Sequence, residues 1–172
     1  MNDYIERILR ARVYDVAIES PLEPAARLSR RLGNAVLLKR EDLQPVFSFK
    51  LRGAYNKIAS LSDTVAQRGV ICASAGNHAQ GVALAARRRG IPAVIVMPQT
   101  TPSIKVQAVI DLGGEVLLHG DDYDSAYDRS VVIARERNLA FVHPFDDPDA
   151  VSYTHLRAHE TKANLVCRLL LE

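Results

Sequence analysis

The period of the hydrophobic positions changes along the chain. Between residues 70 and 142 there are four short apolar runs: Val70-Ile71-Cys72-Ala73, Ala93-Val94-Ile95-Val96-Met97, Glu115-Val116-Leu117-Leu118 and Ala140-Phe141-Val142. Runs without polar alternation suit strands buried on both faces, as in a parallel sheet. Between them, apolar residues recur at three and four positions and predict helices over 77–89, 103–112 and 122–137. Pro102 suits a first helical turn, and Gly90 and Gly113 suit positions just past helix ends. Strands alternating with helices through short connections imply an α/β fold, an open parallel sheet with flanking helices.

The first 69 residues are less regular. Residues 4–11 read as an amphipathic helix, 36–39 as a strand and 50–61 as a helix, while Pro21 and Pro24 mark a loop before a short helix near 25–32. The final stretch, 152–172, departs from the rest: it has no Gly or Pro and holds His155, His159 and Cys167. The histidine pair has the i, i+4 spacing of metal ligands, but no third ligand accompanies it, so a chance pair is the expectation and no metal is assigned.

Composition narrows the function classes. A chain of 172 residues has room for one domain and a fraction, at about 150 residues per domain. Hydrophobic residues at 48% and charged residues at 24% exclude collagen, coiled coil and wholesale disorder. The net charge of +2 gives no basic face for a nucleic-acid partner. No run reaches the ~18 apolar residues of a membrane span, and the N-terminus lacks the basic and apolar regions of a secretory signal. Two cysteines make no disulfide framework, so a reducing, cytoplasmic compartment is expected.

Two segments could carry chemistry. In Ser48-Phe49-Lys50-Leu51-Arg52-Gly53-Ala54 a lysine lies at a helix start beside an aromatic, where the dipole and partial burial disfavour its ammonium form. A lysine so perturbed suits imine chemistry with a carbonyl; the plainer alternative is a snorkelling surface lysine. In Ser74-Ala75-Gly76-Asn77-His78-Ala79-Gln80-Gly81, small residues follow a strand and open a helix. Free N–H groups there favour an anion, at the strand end where open α/β sheets bind ligands. The alternative is an ordinary N-cap by Ser74 or Asn77. Phosphate-loop, dinucleotide and nucleophile-elbow motifs are missing from the sequence. The cluster Asp121, Asp122 and Asp124 reads as helix capping, and neither His119 nor His143 completes a dyad.

Taken together, Lys39-Arg40-Glu41-Asp42-Leu43-Gln44, the Lys50 segment and Ser74-Ala75-Gly76-Asn77-His78 resemble the threonine/serine dehydratases of the tryptophan-synthase-β-like (fold type II) pyridoxal-phosphate superfamily. The wording around Gln44-Pro45-Val46-Phe47, and Tyr14-Asp15-Val16-Ala17 before Pro21-Leu22, is most similar to its biosynthetic threonine ammonia-lyases, which open isoleucine synthesis. The resemblance runs from about residue 3 to Val151. It implies that Lys50 forms the Schiff base with pyridoxal 5'-phosphate, that Phe49 packs beside the cofactor, and that Asn77 hydrogen-bonds the pyridoxal 3′-hydroxyl. Ser74, Ala75, Gly76 and His78 would receive the carboxylate of a threonine or serine substrate, and the released lysine would remove the α-proton. The products would be 2-oxobutanoate and ammonia.

Serine racemases are similar here but carry a second serine where this chain has Ala75, so elimination is expected over racemisation. Catabolic dehydratases, and a non-catalytic α/β module, are the alternatives. The resemblance further implies a homotetrameric parent. The family's glycine-rich phosphate loop and its pyridine-nitrogen partner have no counterpart in the sequence, and Gly113-Gly114 is the only glycine pair. The expectation is therefore an N-terminal part of a catalytic domain over 1–151, with a small α/β subdomain at about 56–142. The second domain would be incomplete, 152–172 would form a non-native tail, and this chain alone would be inactive.

Overall fold

A computed structural model describes residues 10–144 and Asp147. Four parallel strands, β3 (Val70–Ala73), β4 (Ala93–Met97), β5 (Glu115–Leu118) and β6 (Ala140–Phe141), form one sheet in the order β5-β4-β3-β6. The register places Cys72 opposite Ile95, Ile95 opposite Val116 and Ile71 opposite Phe141. An all-parallel sheet needs helices on both faces. Two apolar layers supply them, and alternate residues of each strand feed alternate layers.

Val70, Cys72, Ala93, Ile95 and Met97 face one layer, with α2 (Lys50–Ser60), α4 (Asn77–Arg89) and Val109 of α5 (Ser103–Asp111) packed on it. Ile71, Val94 and Val96 face the other, against Ala126 and Ile133 of α6 (Tyr123–Glu136). Helix α4 is built for a crowded position. Its Ala79, Ala83, Ala85 and Ala86 are buried, and their short side chains let it lie between the sheet and α2. It ends at Gly90, whose φ of +69° is the left-handed cap conformation that glycine adopts without a Cβ penalty. Asp122 caps α6 through a 2.8 Å bond from the Ser125 amide, the role expected for that acidic cluster.

Three details differ from the sequence-based expectations. First, β5 is an edge strand with Glu115 and Leu118 exposed. Its apolar run therefore does not signal burial on both faces; edge position is decided by strand order. Second, residues 21–24 are not simply a loop, since β1 (Leu22–Pro24) pairs antiparallel with β2 (Leu37–Lys39). Proline is tolerated there because the short ribbon leaves an unpaired edge. Third, two 3₁₀ turns, Val13–Asp15 and Glu41–Leu43, and the one-turn helix α3 (Asp63–Ala66) carry no hydrophobic period to betray them. Helix α1 (Ala26–Leu32) completes the elements. The helix expected over 4–11 lies largely outside the described residues, as does all of 152–172, with His155, His159 and Cys167. Among the described residues no helix is long and apolar enough to cross a membrane, and no group of three or more potential ligands could hold a metal.

Candidate active site

The chain runs from β3 outward to β4 and β5, then returns to place β6 on the other side of β3. That reversal is a topological switch point, and loops leaving adjacent strands there diverge and open a crevice at the carboxyl ends. Residues 74–76 leave β3 at this point, and residues 142–144 leave β6. The two sequence motifs meet here although they arise from separate elements.

Lys50 begins α2, with its amide donating to Ser48 Oγ at 3.2 Å. The Lys50 Nζ lies 5.6 Å from the Phe49 ring centroid and donates to the Pro144 carbonyl at 3.0 Å. Partial burial holds its ammonium below the ordinary lysine range. Behind it, Gly81 of α4 meets the α2 backbone: a Cβ at Gly81 would lie 3.2 Å from the Lys50 carbonyl carbon and oxygen and from the Leu51 nitrogen. Glycine at this position lets the helix carrying the second motif touch the backbone of the first.

In residues 74–78 the structure shows the capping bonds and, beside them, amides left without an acceptor. Ser74 Oγ accepts from the amides of Gly76 at 3.2 Å and Ala79 at 3.3 Å, so it caps α4. Asn77 does not cap; it is exposed at the mouth. Among the described residues the amides of Ala75, Asn77 and His78 have no assigned acceptor, and a Cβ built on Gly76 meets nothing within 4 Å. Open space therefore lies beside Gly76, next to three unassigned amides at a helix N-terminus, an arrangement that suits a carboxylate. His78 points inward, 5% exposed, with Nε2 donating to the Val142 carbonyl at 2.9 Å. A carbonyl only accepts, so Nε2 carries the proton. Burial pushes the imidazole pKa down to about 4, aided by the nearby Lys50 and His143.

A buried ion pair, missed by the sequence reading, fixes the base of Lys50. Arg52 is fully buried; its Nε meets Glu41 Oε2 at 2.9 Å and its Nη2 meets Glu41 Oε1 at 3.1 Å. Nη2 also reaches the Ile18 carbonyl at 3.0 Å. Gln44 brackets the same residue, accepting from the Ile18 amide at 2.9 Å and donating to its carbonyl at 2.8 Å. The available signal was the clustering of Arg52, Glu41 and Gln44 within the resemblance motifs. A groove of about 290 Å³ beside β5, lined in part by Leu117, His119, Arg129 and Arg137, includes none of these residues.

The donor set suits pyridoxal phosphate at its carbonyl end: a half-buried amine with a disfavoured charge lies near a helix N-terminus with unassigned amides. A family profile, Pyridoxal-phosphate dependent enzyme, matches residues 13–166. The chain belongs to that family. It is 59% identical over 154 residues to the biosynthetic L-threonine dehydratase of Burkholderia multivorans, covering 88% of this chain and 30% of the relative. It is 58% identical over 150 residues to the chloroplastic biosynthetic threonine dehydratase of Arabidopsis thaliana, covering 87% and 25%. The chain thus spans roughly a quarter to a third of these relatives. Among solved structures it superposes with a TM-score of 0.88 on the processed threonine deaminase isoform 2 of Solanum lycopersicum, at 52% identity, covering 92% of this chain and 46% of that one. Maize serine racemase gives 0.86 at 32% identity, covering 92% and 48%. The parallel sheet flanked by helices is the family's fold.

Proposed function

We propose that this chain supplies the cofactor-anchoring part of a threonine ammonia-lyase, which eliminates water from L-threonine and, by hydrolysis of the resulting imine, gives 2-oxobutanoate and ammonia. The observation that carries the reading is the meeting of Lys50 with residues 74–78 at the switch point, in a chain 59% and 58% identical to two threonine dehydratases. Pyridoxal phosphate, when bound, supplies an electron sink for a carbanion at the substrate α-carbon.

The chain's own residues do the rest. Lys50 would hold the cofactor through Nζ. When released it is a base at the α-carbon, because partial burial disfavours its ammonium form. Phe49, whose ring centroid lies 5.6 Å from the Lys50 amine, would lie beside the cofactor. Asn77, exposed at the mouth and free of capping duty, offers its side chain to the pyridoxal 3′-hydroxyl. The segment Ser74, Ala75, Gly76 and His78 takes the substrate carboxylate on the amides left without an acceptor, those of Ala75, Asn77 and His78, because Ser74 N–H is bonded to the Val96 carbonyl and Gly76 N–H to Ser74 Oγ. Homotetrameric assembly and a reducing, cytoplasmic compartment complete the reading.

Serine racemisation is the second reading, favoured by the likeness to maize serine racemase. It requires a proton donor opposite Lys50, and Ala75 supplies none. The test compares the intact protein with Lys50→Ala. The parent should gain visible absorbance on adding pyridoxal phosphate and release 2-oxobutanoate from L-threonine. Lys50→Ala should lose the absorbance and at least about 10²–10⁴ of the rate, the worth of a positioned proton-transfer group. Near-normal turnover in that variant would end the assignment.

A further inference from the structure

The ladder that holds β6 to β3 is short. Its last described bond runs from the Val142 amide to the Ile71 carbonyl at 2.9 Å. Beyond it, residues 142–144 are positioned by side chains. His78, from the N-terminus of α4, donates from Nε2 to the Val142 carbonyl at 2.9 Å. The His143 ring meets Tyr127 of α6 edge-on at 6.0 Å. The Pro144 carbonyl then stands 3.0 Å from Lys50 Nζ, and the proline ring limits its own backbone to one φ. Three elements converge so that a backbone oxygen waits for an amine 94 positions away in sequence.

We propose that the Pro144 carbonyl is the resting acceptor for the Lys50 amine whenever that amine is not engaged by cofactor, and that His78 is the positioning residue that holds this carbonyl in place. The functional meaning rests on the reading of Lys50 as the cofactor-bearing lysine; the geometry does not. An acceptor here has a chemical use. A released amine on a long, flexible stem must wait within reach of the α-carbon, and one hydrogen bond to a fixed carbonyl restrains the stem while leaving the amine available. Because the imidazole is neutral, His78 can hold Val142 without placing a second positive charge beside Lys50.

The test is site-resolved acetylation of the cofactor-free protein by a small activated ester at one pH, read by peptide mass spectrometry with exposed Lys105 as internal reference. Compared with the parent, His78→Phe keeps the volume and removes the donor, so the Lys50 rate relative to Lys105 should rise about fivefold, the equivalent of one hydrogen bond. His78→Gln, which retains an N–H donor, should stay near the parent. Pro144→Gly loosens the same carbonyl without touching the sheet core and should also accelerate Lys50, so the proposal remains testable if His78→Phe does not fold. An unchanged Lys50 rate in folded His78→Phe or in Pro144→Gly overturns the proposal, as does a His78→Gln rate equal to that of His78→Phe. A further arm adds pyridoxal phosphate to the parent. Failure to protect Lys50 there, with the variant effects intact, would count against the cofactor reading while the resting contact stands.

Discussion

Arg52 lies two residues after Lys50 and is fully buried, yet it reads in the sequence as one more basic residue on a helix. Its guanidinium is held by Glu41, which is itself 7% exposed and also accepts from the Ser20 hydroxyl. Removing one member of a buried pair strands the other's charge, which costs about 3–5 kcal/mol. Arg52→Met should therefore lower stability by about that amount in a urea titration, and adding Glu41→Met should recover part of it. A single variant as stable as the parent would show that the pair does not anchor the first turn of α2. Ala75 makes a second prediction at this scale. In the intact enzyme Ala75→Ser adds one oxygen to a half-buried loop position. Racemisation of serine should rise relative to elimination, measured as D-serine against pyruvate. An unchanged ratio in an active, folded variant would remove Ala75 as the discriminating position.

At the scale of elements, the site depends on how closely α4 approaches α2. Gly81→Ala would put a methyl 3.2 Å from backbone atoms of Lys50 and Leu51. Backbone yields less readily than a flexible side chain, so the helices must separate. The expected cost is about 1–3 kcal/mol, the range for overpacking a dense interior, partly offset because alanine is the better helix former by about 1 kcal/mol. A lowered melting temperature together with weaker pyridoxal phosphate binding in the intact protein is the expected pair of results. A variant that melts higher and binds normally would show that α2 can shift freely.

For the molecule as a whole, His78 couples the sheet, α4 and the segment after β6 into one pH-sensitive unit. Its imidazole has a pKa of about 4 when folded and about 6.5 when unfolded. Between those values the unfolded chain binds the extra proton, so stability falls as pH drops through this window and is fully present above about 6.5. The contribution is at most about 3 kcal/mol. Urea midpoints at pH 7 and pH 4.5 should differ more for the parent than for His78→Gln, which carries no titrating group at that position. Equal pH slopes in the two proteins would remove His78 as the source.

The sequence alone determined the alternation of elements in the second half of the chain and the two chemical motifs. The bounds of β3, β4, β5 and α4 match their sequence-derived limits, because apolar strand runs and a helical period are written locally. Lys50 and residues 74–78 stood out through the family resemblance, since their residue types alone also fit a surface lysine and an ordinary helix cap. Tertiary structure decided what depends on distance in space. It placed β5 at an edge, so the same kind of apolar run came out half-exposed. It paired Pro24 with Leu37, buried Arg52 against Glu41, and set Ser74 to cap while Asn77 stayed exposed. It brought the Pro144 carbonyl to Lys50 and turned His78 inward to Val142. Such contacts join residues tens of positions apart, and no local period records them. Strand order at the switch point brings them together, and that order is a property of the packed sheet.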